Sequence, residues 1–503
     1  MSLCAPLVSQ LSVAGRLWLV TIVCCVVSGS KFCSRTLAFF TPEIASFANA
    51  SAVGQLTPVQ LDWQTSLAAS GYYAGQLVGY ILLPVALTST GSRDTGLWLC
   101  NVSLTLGAMM QWASGPAAWF ALFVVGNFFV GIAAAFTPGQ ILYIAESMPP
   151  AFRGKASLLS ATGDNAVLSF GALLTLPSLL GNTRKWFWYP MIGVLLAFIQ
   201  IMGTFVFPDS PKYLYIEQQQ KLAAYESAIW FHGARNSSVA ALFEQYKQEA
   251  LLTNRSAHSG LVQIMRRRHL RIPFLLCILA EVTFKMSGSV VISSFLNALF
   301  ASMGVADVWS SMAMSATYAV CTLLSLVVAT VLIDRCGRRP LLLASIAVAF
   351  VGIVLVFVGK LVASKQPSLA AGLAIAGVLF MTSCQVIGLD KIPILLVAEL
   401  CPQSCHAVTM SASMWLGTAV SVLQSLTFTP LERLIGPSIW LLFAVTQALS
   451  FACLYLTLPE TAHTSVQDVV RTWVTQHNHQ QFDHAERTQK LHENTPLLSE
   501  VRS

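Results

Sequence analysis

Five charged side chains lie inside long apolar stretches of this chain, where charge is energetically costly. They are Asp164, Glu281, Lys285, Asp390 and Lys391. Only 10% of the 503 residues are charged, so these positions stand out from their surroundings. A charge inside a bilayer costs a few kcal/mol unless it is paired or hydrated. We therefore expect these side chains to face an internal cavity rather than lipid.

The helical rise places these residues at similar depths. Glu281 and Lys285 are four residues apart, so they share one helix face and can form an ion pair. At about 1.5 Å per residue, Asp164 lies about 12 Å into its helix, and Glu281 and Lys285 lie at about 12 and 18 Å. Asp390 and Lys391 lie about 13 Å from the end of theirs.

This charged cluster favours two kinds of chemistry. It predicts a site for a charged or zwitterionic solute, or a carboxylate that couples transport to protons. Asp164 is the main proton candidate, because burial favours the protonated form of a carboxyl group. The alternative is structural: Glu281 neutralises Lys285, and Asp390 or Asp164 neutralises Lys391.

The elements that position these residues are apolar helices. The chain is 55% hydrophobic with a mean hydropathy of +0.66. Runs of about 20 apolar residues, each long enough to cross a hydrocarbon core of about 30 Å, recur along it. The predicted fold class is an all-α membrane protein with twelve spans. They cover 11–30, 66–87, 97–113, 118–141, 156–180, 187–207, 273–301, 308–333, 341–362, 368–397, 407–429 and 437–458.

The spans fall into two groups of six. We predict a six-helix half over 1–207, a cytoplasmic linker with short helices over 208–272, and a second half over 273–458. A polar cytoplasmic tail follows over 459–503. The first apolar run is interpreted as an uncleaved signal anchor, because it has no convincing small-residue cleavage site.

Basic residues predict the orientation. The run Asp334–Pro340, Arg153 with Lys155, and Arg266–Arg268 all fall on one side, and Lys/Arg-rich loops mark the cytoplasmic face. Both termini are therefore expected in the cytoplasm. The net charge of +7 reflects these short loops, so it does not indicate a nucleic-acid partner. Asn49-Ala50-Ser51, on the opposite side, is a predicted N-glycosylation site.

Several charged motifs recur at equivalent helix ends. Glu146 precedes Arg153-Gly154 after the fourth span, and Glu399 precedes Pro402 after the tenth. Pro208–Leu214 follows the sixth span, and Pro459-Glu460-Thr461 follows the twelfth. This repetition of motifs between the two groups of six spans favours a duplicated architecture.

Together with Asp334–Pro340, these motifs resemble those of the sugar porter family of the major facilitator superfamily, over about residues 15–462. Phe40–Glu43 and Trp63–Ser66 resemble segments of insect trehalose transporters and their vertebrate relatives. The resemblance implies two six-helix halves that rock around a central solute site, with the lipid bilayer as their surroundings. It also implies gating by helix-end carboxylates and loop arginines. The gating residues are Glu146, Arg153, Asp334, Arg335, Gly337, Arg338, Arg339, Glu399 and His406.

The chain departs from the family pattern where sugars are bound. The first-half copy of the Asp334–Arg339 motif is eroded at Thr88–Arg93. Asn127 and His406 stand where the family has arginine. The residues that contact hexose in the family are also replaced. The resemblance therefore predicts the architecture but not the identity of the solute. The replaced positions are Ala161, Phe284–Gly288, Val290 and Ile394.

Other features narrow the function class. The twelve cysteines show no zinc-ligand spacing, and no nucleophile–base or nucleotide motif is present, so we expect no metal, no cofactor and no enzyme activity. Glu493, Leu497 and Leu498 match an acidic dileucine signal for clathrin-type adaptors, which predicts endosomal or lysosomal residence beside the plasma membrane.

The predicted function is secondary-active or facilitative transport of a small organic solute, sugar-like by kinship, with protons as a candidate coupling ion. One alternative is a non-transporting receptor or sensor that keeps the fold. Another is an organic ion transporter, which the short first outer loop disfavours.

Overall fold

The computed structural model describes a bundle of α-helices. It covers residues 12–23, 29–52, 54–89, 94–137, 143–144, 146–216, 218–233, 239–240, 242–244, 246–247, 261–327, 336–401 and 403–459. No strand occurs within these ranges. The predicted residues Asp334, Arg335, Glu493, Leu497 and Leu498 lie outside them.

The helices of the first half begin with a broken series. They are α1 Val13–Thr21, α2 Gly29–Ser34, α3 Thr36–Phe39, α4 Thr41–Ser51, α5 Pro58–Ser89, α6 Asp94–Ala117, α7 Phe120–Ala135, α8 Pro150–Leu173 and α9 Tyr189–Thr204. Three shorter helices follow: α10 Pro211–Ile216, α11 Lys221–His232 and α12 Leu261–Arg266. We call the face of the bundle that carries α10–α12 the linker face.

The second half contains two helices interrupted by π-helical turns. Its helices are α13 Arg268–Phe284, α14 Val290–Ser302, α15 Asp307–Val327, α16 Arg338–Val362, α17 Pro367–Cys384, α18 Ile392–Leu400, α19 Gln403–Ile435 and α20 Ile439–Thr457. The π turns are Lys285–Ser289, between α13 and α14, and Gln385–Leu389, between α17 and α18.

Each of the twelve predicted spans contains helix among its described residues. Within the described ranges, five stretches are long and apolar enough to span a membrane: Trp186–Gly203, Leu270–Ser302, Arg338–Val362, Pro367–Val397 and Val408–Thr457. The number of crossings, twelve, stays a prediction. The short outer loop predicted after the first span, about residues 41–65, contains α4 and the start of α5, so residues 52–57 connect the two helices.

The packing of the helices repeats between the halves. In the first half α7 packs on both α5 and α6, and α9 packs on α6. In the second half α17 packs on α15 and α16, and α20 packs on α16. Between the halves, α5 of the first half packs on α19 of the second. The pair related to it by exchanging the two halves, α8 with α15, also packs. This pattern is that of a pseudo-two-fold duplication, as the repeated motifs predicted.

Matching glycines allow the same close approach in both halves. A methyl group on Gly107 of α6 would lie 2.7 Å from the Gly126 carbonyl of α7. A methyl group on Gly352 of α16 would lie 2.9 Å from the Gly377 carbonyl of α17. Small residues let helix backbones pack closely where lipid removes the hydrophobic drive for association.

Among the described residues, the halves are joined at the face opposite the linker face, which we call the distal face. Here the α4–α5 connection lies, and Asp62 of α5 forms an ion pair with Arg433 of α19. Nearby, Ser169 of α8 donates to the Ser315 carbonyl of α15 at 2.9 Å. Thr175 donates to the Ser311 hydroxyl at 2.8 Å. The distal face is therefore closed in this conformation.

We predict that Gly131→Ala lowers the stability of the bundle. A methyl group at Gly131 of α7 would lie 1.9 Å from the Tyr72 carbonyl of α5, so the two helices must separate. Overpacking of this kind costs about 1–3 kcal/mol. The midpoint of thermal unfolding of the purified protein in detergent should fall by several degrees.

The matched control is Gly372→Ala in α17, because nothing lies within 4 Å of the added methyl group. It should unfold at the wild-type temperature or slightly above, since alanine is the better helix former. Equal midpoints for the two variants would contradict the assigned α5–α7 packing.

Candidate functional site

Four of the five predicted charged residues lie at or beside the interruptions of the helices, and Asp164 lies within α8. Lys285 is the first residue of the π turn after α13, and Glu281 lies one turn before it. Asp390 and Lys391 directly follow the other π turn. π turns free backbone groups and are frequent at functional sites. The interruptions therefore hold both charged pairs at mid-depth.

Gly288 explains why the first interruption forms here. Its φ of +83° is in the left-handed region, which only glycine adopts readily. A methyl group at Gly288 would also lie 2.0 Å from Met381 Cε of α17. The break between α13 and α14 thus depends on this glycine and brings α17 close to it.

Lys285 and Glu281 form a buried ion pair. Lys285 Nζ lies 3.1 Å from Glu281 Oε1, and the side chains are 17% and 8% exposed. The Glu281 side chain packs against Gly417 of α19, where a methyl group would lie 2.6 Å from its Cγ. This is the geometry of the structural alternative, and a role for the pair in solute binding stays a prediction.

Lys391 and Asp390 form a second pair in a more open setting. Lys391 Nζ lies 2.9 Å from Asp390 Oδ2, and the side chains are 49% and 38% exposed. Asp164 of α8, in the other half, lies within electrostatic range of Lys391. A carboxylate of the first half therefore acts on this partly exposed ion pair of the second half.

Tyrosines of α5 connect the two ion pairs. Tyr80 lies within electrostatic range of Glu281 and of Asp390, and its hydroxyl accepts a hydrogen bond from Gln76 at 3.3 Å. Tyr73 hydrogen-bonds to Ser293 of α14. Neutral donors and acceptors of this kind can form hydrogen bonds with the hydroxyl groups of a solute. Sequence reasoning missed them, and the i, i+3 and i+7 spacing of Tyr73, Gln76 and Tyr80 on one helix face was the available signal.

Arg35 is a further charged residue at a helix interruption. It follows the first predicted span of the chain, 11–30. Arg35 lies between α2 and α3, with φ −99° and ψ 3°, among buried neighbours from Phe32 to Phe40. The apolar run that resumes at Leu37 was the signal for a continuing span.

The predicted gating residues have partners within their own halves. Glu146 Oε2 accepts a hydrogen bond from Ser210 at 3.1 Å, which ties the end of the fourth span to the motif after α9. Arg339 Nη2 donates to the Tyr455 carbonyl at 2.6 Å, near the end of α20, where a cation is favoured. A gating role for these residues stays a prediction.

The remaining gating residues are described only in part. Gly337 precedes α16 with a φ of +83°, so the glycine of this motif is required by its backbone. Arg338 begins α16. Arg153, Glu399 and His406 lie in the helices α8, α18 and α19, and their side chains are outside the described part of the structure.

Two other predicted features lie on opposite faces. Asn49 is exposed in the last turn of α4, where its side-chain oxygen accepts a hydrogen bond from the Leu56 amide at 3.0 Å. Asn127, at the position where the family has arginine, is buried and accepts a hydrogen bond from Gln111 at 2.7 Å. Asn127 thus helps to join α6 and α7 instead of supplying a charge.

Comparison with known proteins agrees with this architecture. Residues 20–473 match the family model described as "Sugar (and other) transporter". The human solute carrier family 2, facilitated glucose transporter member 4, is 25% identical over 401 residues, covering 79% of this chain and 77% of that protein. Mouse member 7 is 25% identical over 400 residues, covering 79% and 77%.

Solved structures share the fold at low sequence identity. The proton:xylose symporter XylE bound to 6-bromo-6-deoxy-D-glucose superposes with a TM-score of 0.72 at 15% identity, covering 92% of this chain and all of that one. The inward-open conformation of XylE from E. coli gives 0.70 at 16% identity, covering 90% and 99%. The expected major facilitator fold is confirmed.

These relatives are multi-pass membrane transporters and not enzymes, as the sequence predicted. The family match covers most of the chain, from within the first predicted span to beyond the last. The chain belongs to the sugar (and other) transporter family of the major facilitator superfamily.

Proposed function

We propose that this protein moves a small organic solute by alternating access and binds it at the charged cluster between the two halves. The observation that carries the proposal is the partly exposed Asp390–Lys391 ion pair of one half, with Asp164 of the other half within electrostatic range of Lys391. A solute held there touches both halves, so its binding can bias how they rock. Sugars are the first class to test, because the relatives are named as glucose and xylose transporters.

The closed distal face supports a state open toward the linker face. The Asp62–Arg433 ion pair and the Ser169–Ser315 hydrogen bonds join the halves distally. With both termini in the cytoplasm, as the basic loops predict, this is an inward-facing transporter.

The wider setting of this function rests on sequence motifs. We propose glycosylation at Asn49 on the extracellular face, and sorting by clathrin-type adaptors that bind Glu493, Leu497 and Leu498. These motifs support residence in the plasma membrane or in endosomal and lysosomal membranes. Protons are the proposed coupling ion, with Asp164 as the carrier, since XylE is named as a proton:xylose symporter.

Proteoliposomes test transport directly. We expect saturable uptake of labelled glucose, trehalose or a charged solute, and acidification of the lumen, reported by a trapped pH-sensitive dye, that accompanies uptake. Asp164→Asn should abolish proton movement and slow concentrative uptake at least tenfold, while leaving counterflow exchange. The exposed Glu226→Gln on α11 is the control.

Two results separate the alternatives. Solute binding without flux would favour the receptor or sensor, and flux without a pH change would remove the proton from the mechanism.

The buried ion pair provides a second test. Lys285→Ala leaves Glu281 buried without its partner, which costs about 3–5 kcal/mol. We expect loss of thermal stability and of uptake. The double variant Lys285→Met with Glu281→Leu removes both charges, so it should regain the wild-type unfolding temperature.

Uptake by the double variant then assigns the role of the pair. We expect it to stay at least tenfold below wild type, because the site has lost its charged groups. Wild-type uptake by this stable double variant would show that Glu281 and Lys285 serve packing alone.

The distal closure predicts a shift in conformation when its ion pair is broken. Asp62→Asn leaves Arg433 unpaired and weakens the contact between α5 and α19. For a partly exposed pair worth about 1 kcal/mol, the distal-open population should rise about fivefold. Hydrogen–deuterium exchange should accelerate at the distal ends of α8 and α15.

Glu244→Gln is the matched control, since it breaks an exposed pair with Lys247 in the linker region. Its exchange at α8 and α15 should equal that of the wild type. Unchanged exchange in Asp62→Asn would show that the ion pair does not hold the distal face closed.

A further inference from the structure

A cavity of about 290 Å³ lies between the two halves at the distal face. Residues of α4 and α5 from the first half line one side, and residues of α14 and α19 from the second half line the other. Pro42 and Ala301 line it and are exposed, so the cavity is open at the surface. Pockets for small molecules have volumes of about 300–1,000 Å³, so this one suits a small ligand with a single ring.

The cavity is separate from the charged cluster proposed to bind the transported solute. Phe295, which lines the cavity, lies ten residues after Lys285 in the chain. At about 1.5 Å per residue, this places the cavity about 15 Å further toward the distal face. None of the five charged residues of the cluster is among the described residues that line it. A ligand in the cavity therefore leaves the proposed solute site free.

Two stacked phenylalanines form an apolar part of the lining. The rings of Phe295 and Phe428 lie 5.9 Å apart between centroids with an interplanar angle of 19°. The backbone of α14 leaves helical geometry at Phe295, with φ −134° and ψ 24°. Leu61 and Leu299 extend this apolar surface. It suits the ring of a small aromatic ligand, since aromatic rings pack well in offset or edge-on contact.

Each half contributes one carboxylate to the lining. They are Asp62 of α5 and Glu432 of α19. Arg433 Nε contacts Asp62 Oδ2, and Lys360 Nζ contacts Glu432 Oε1. A carboxylate can accept about four hydrogen bonds, so the second oxygen of each can also accept from a ligand.

The charges around the cavity favour a cation. Neither Arg433 nor Lys360 is among the described residues that line it, so the carboxylates lie nearer to a ligand than their own cations do. Because Coulomb energy falls with distance, the nearer carboxylates dominate. Asp62 is paired with the residue next to Glu432, which places the two carboxylates on neighbouring parts of the lining.

The threonines of the lining also offer acceptors. The Thr41 hydroxyl donates to the Leu37 carbonyl at 2.7 Å, and the Thr65 hydroxyl donates to the Asp62 carbonyl at 3.0 Å. Each hydroxyl has one hydrogen, which is used within its own helical segment, so only its lone pairs are left. A ligand of this cavity must therefore supply N–H donors.

We propose that this cavity binds a small organic cation, a primary ammonium attached to a single apolar ring, and that the bound cation holds the distal face closed. The ring packs on Phe295 and Phe428, and the three N–H donors of the ammonium bind Asp62 and Glu432. Because these carboxylates belong to different halves, the complete site exists only while the halves are together. The ligand therefore shifts the population toward the distal-closed state, which makes the cavity an inhibitory site distinct from that of the solute.

Binding is measured by isothermal titration calorimetry on the full-length protein in lipid nanodiscs at neutral pH. The probe is phenethylammonium, with 2-phenylethanol and 3-phenylpropionate as neutral and anionic probes of similar shape. We expect saturable binding of phenethylammonium and none of the other two. At about ten times its Kd, the distal-open population should fall about tenfold. Hydrogen–deuterium exchange at the distal ends of α8 and α15 should slow by the same factor.

Two variants place the bound cation in the cavity. Ala298→Leu fills part of the cavity and keeps both carboxylates, so it should abolish binding. Ala347→Leu is the matched control, because Ala347 is exposed on α16 and does not line the cavity. Glu432→Gln combined with Lys360→Met removes one carboxylate without leaving its cation unpaired. It should weaken binding at least about tenfold, since a charge-assisted hydrogen bond is lost.

Each outcome decides the inference. Absence of phenethylammonium binding overturns it, and equally tight binding of 2-phenylethanol overturns the choice of a cation. Unchanged binding in an Ala298→Leu variant that unfolds at the wild-type temperature places the probe elsewhere and overturns the site. Exchange that is unchanged or faster in the bound protein overturns the inhibitory role. These measurements need no solute flux, so they decide this site even if the proposed transport function fails.

Discussion

Charge in a low-dielectric interior is the constraint on which this structure depends. An isolated ion in the bundle is far less stable than in water, so each must find a partner, a polar neighbour or open space. The chain meets this requirement at helix interruptions. Glu281 and Lys285 pair at one π turn, and Asp390 and Lys391 pair beside the other. Arg35 lies at a third interruption.

These interruptions connect packing with the transport cycle. Continuous helices such as α5 and α19 join the halves along their length, and α8 and α15 do so through serine and threonine contacts. The broken helices instead present side chains to the space between the halves. Because the ion pairs at the π turns are satisfied within one half, the halves can separate without stranding their charges. Asp164 and Lys391 lie in different halves, so separation of the halves would weaken the electrostatic interaction between them.

The departures from the family pattern also acquire a physical meaning. Asn127 replaces a charge with a hydrogen bond between neighbouring helices. The positions that bind hexose in the family are occupied by the segment around Lys285 and by apolar residues. The tyrosines of α5 and the charged residues of the interrupted helices are therefore the proposed binding groups. The family architecture is kept while the site chemistry differs.

The sequence by itself determined the helical membrane architecture, the duplication and the mid-depth position of five charged residues. Apolar run length, recurring motifs and the helical rise are local or additive properties, so they can be read along the chain. The i, i+4 spacing likewise anticipated the contact between Glu281 and Lys285. The length of the first span was misjudged, because its polar interruption near Arg35 resembled a loop.

Only the tertiary structure decided which groups meet. Asp164 and Lys391 are more than two hundred residues apart, and their proximity depends on how two halves pack. The contact of Tyr73 with Ser293 likewise joins α5 of one half to α14 of the other. The closed distal face is likewise a property of one conformation. Contacts of this kind arise from packing between distant segments, and no local spacing rule encodes them.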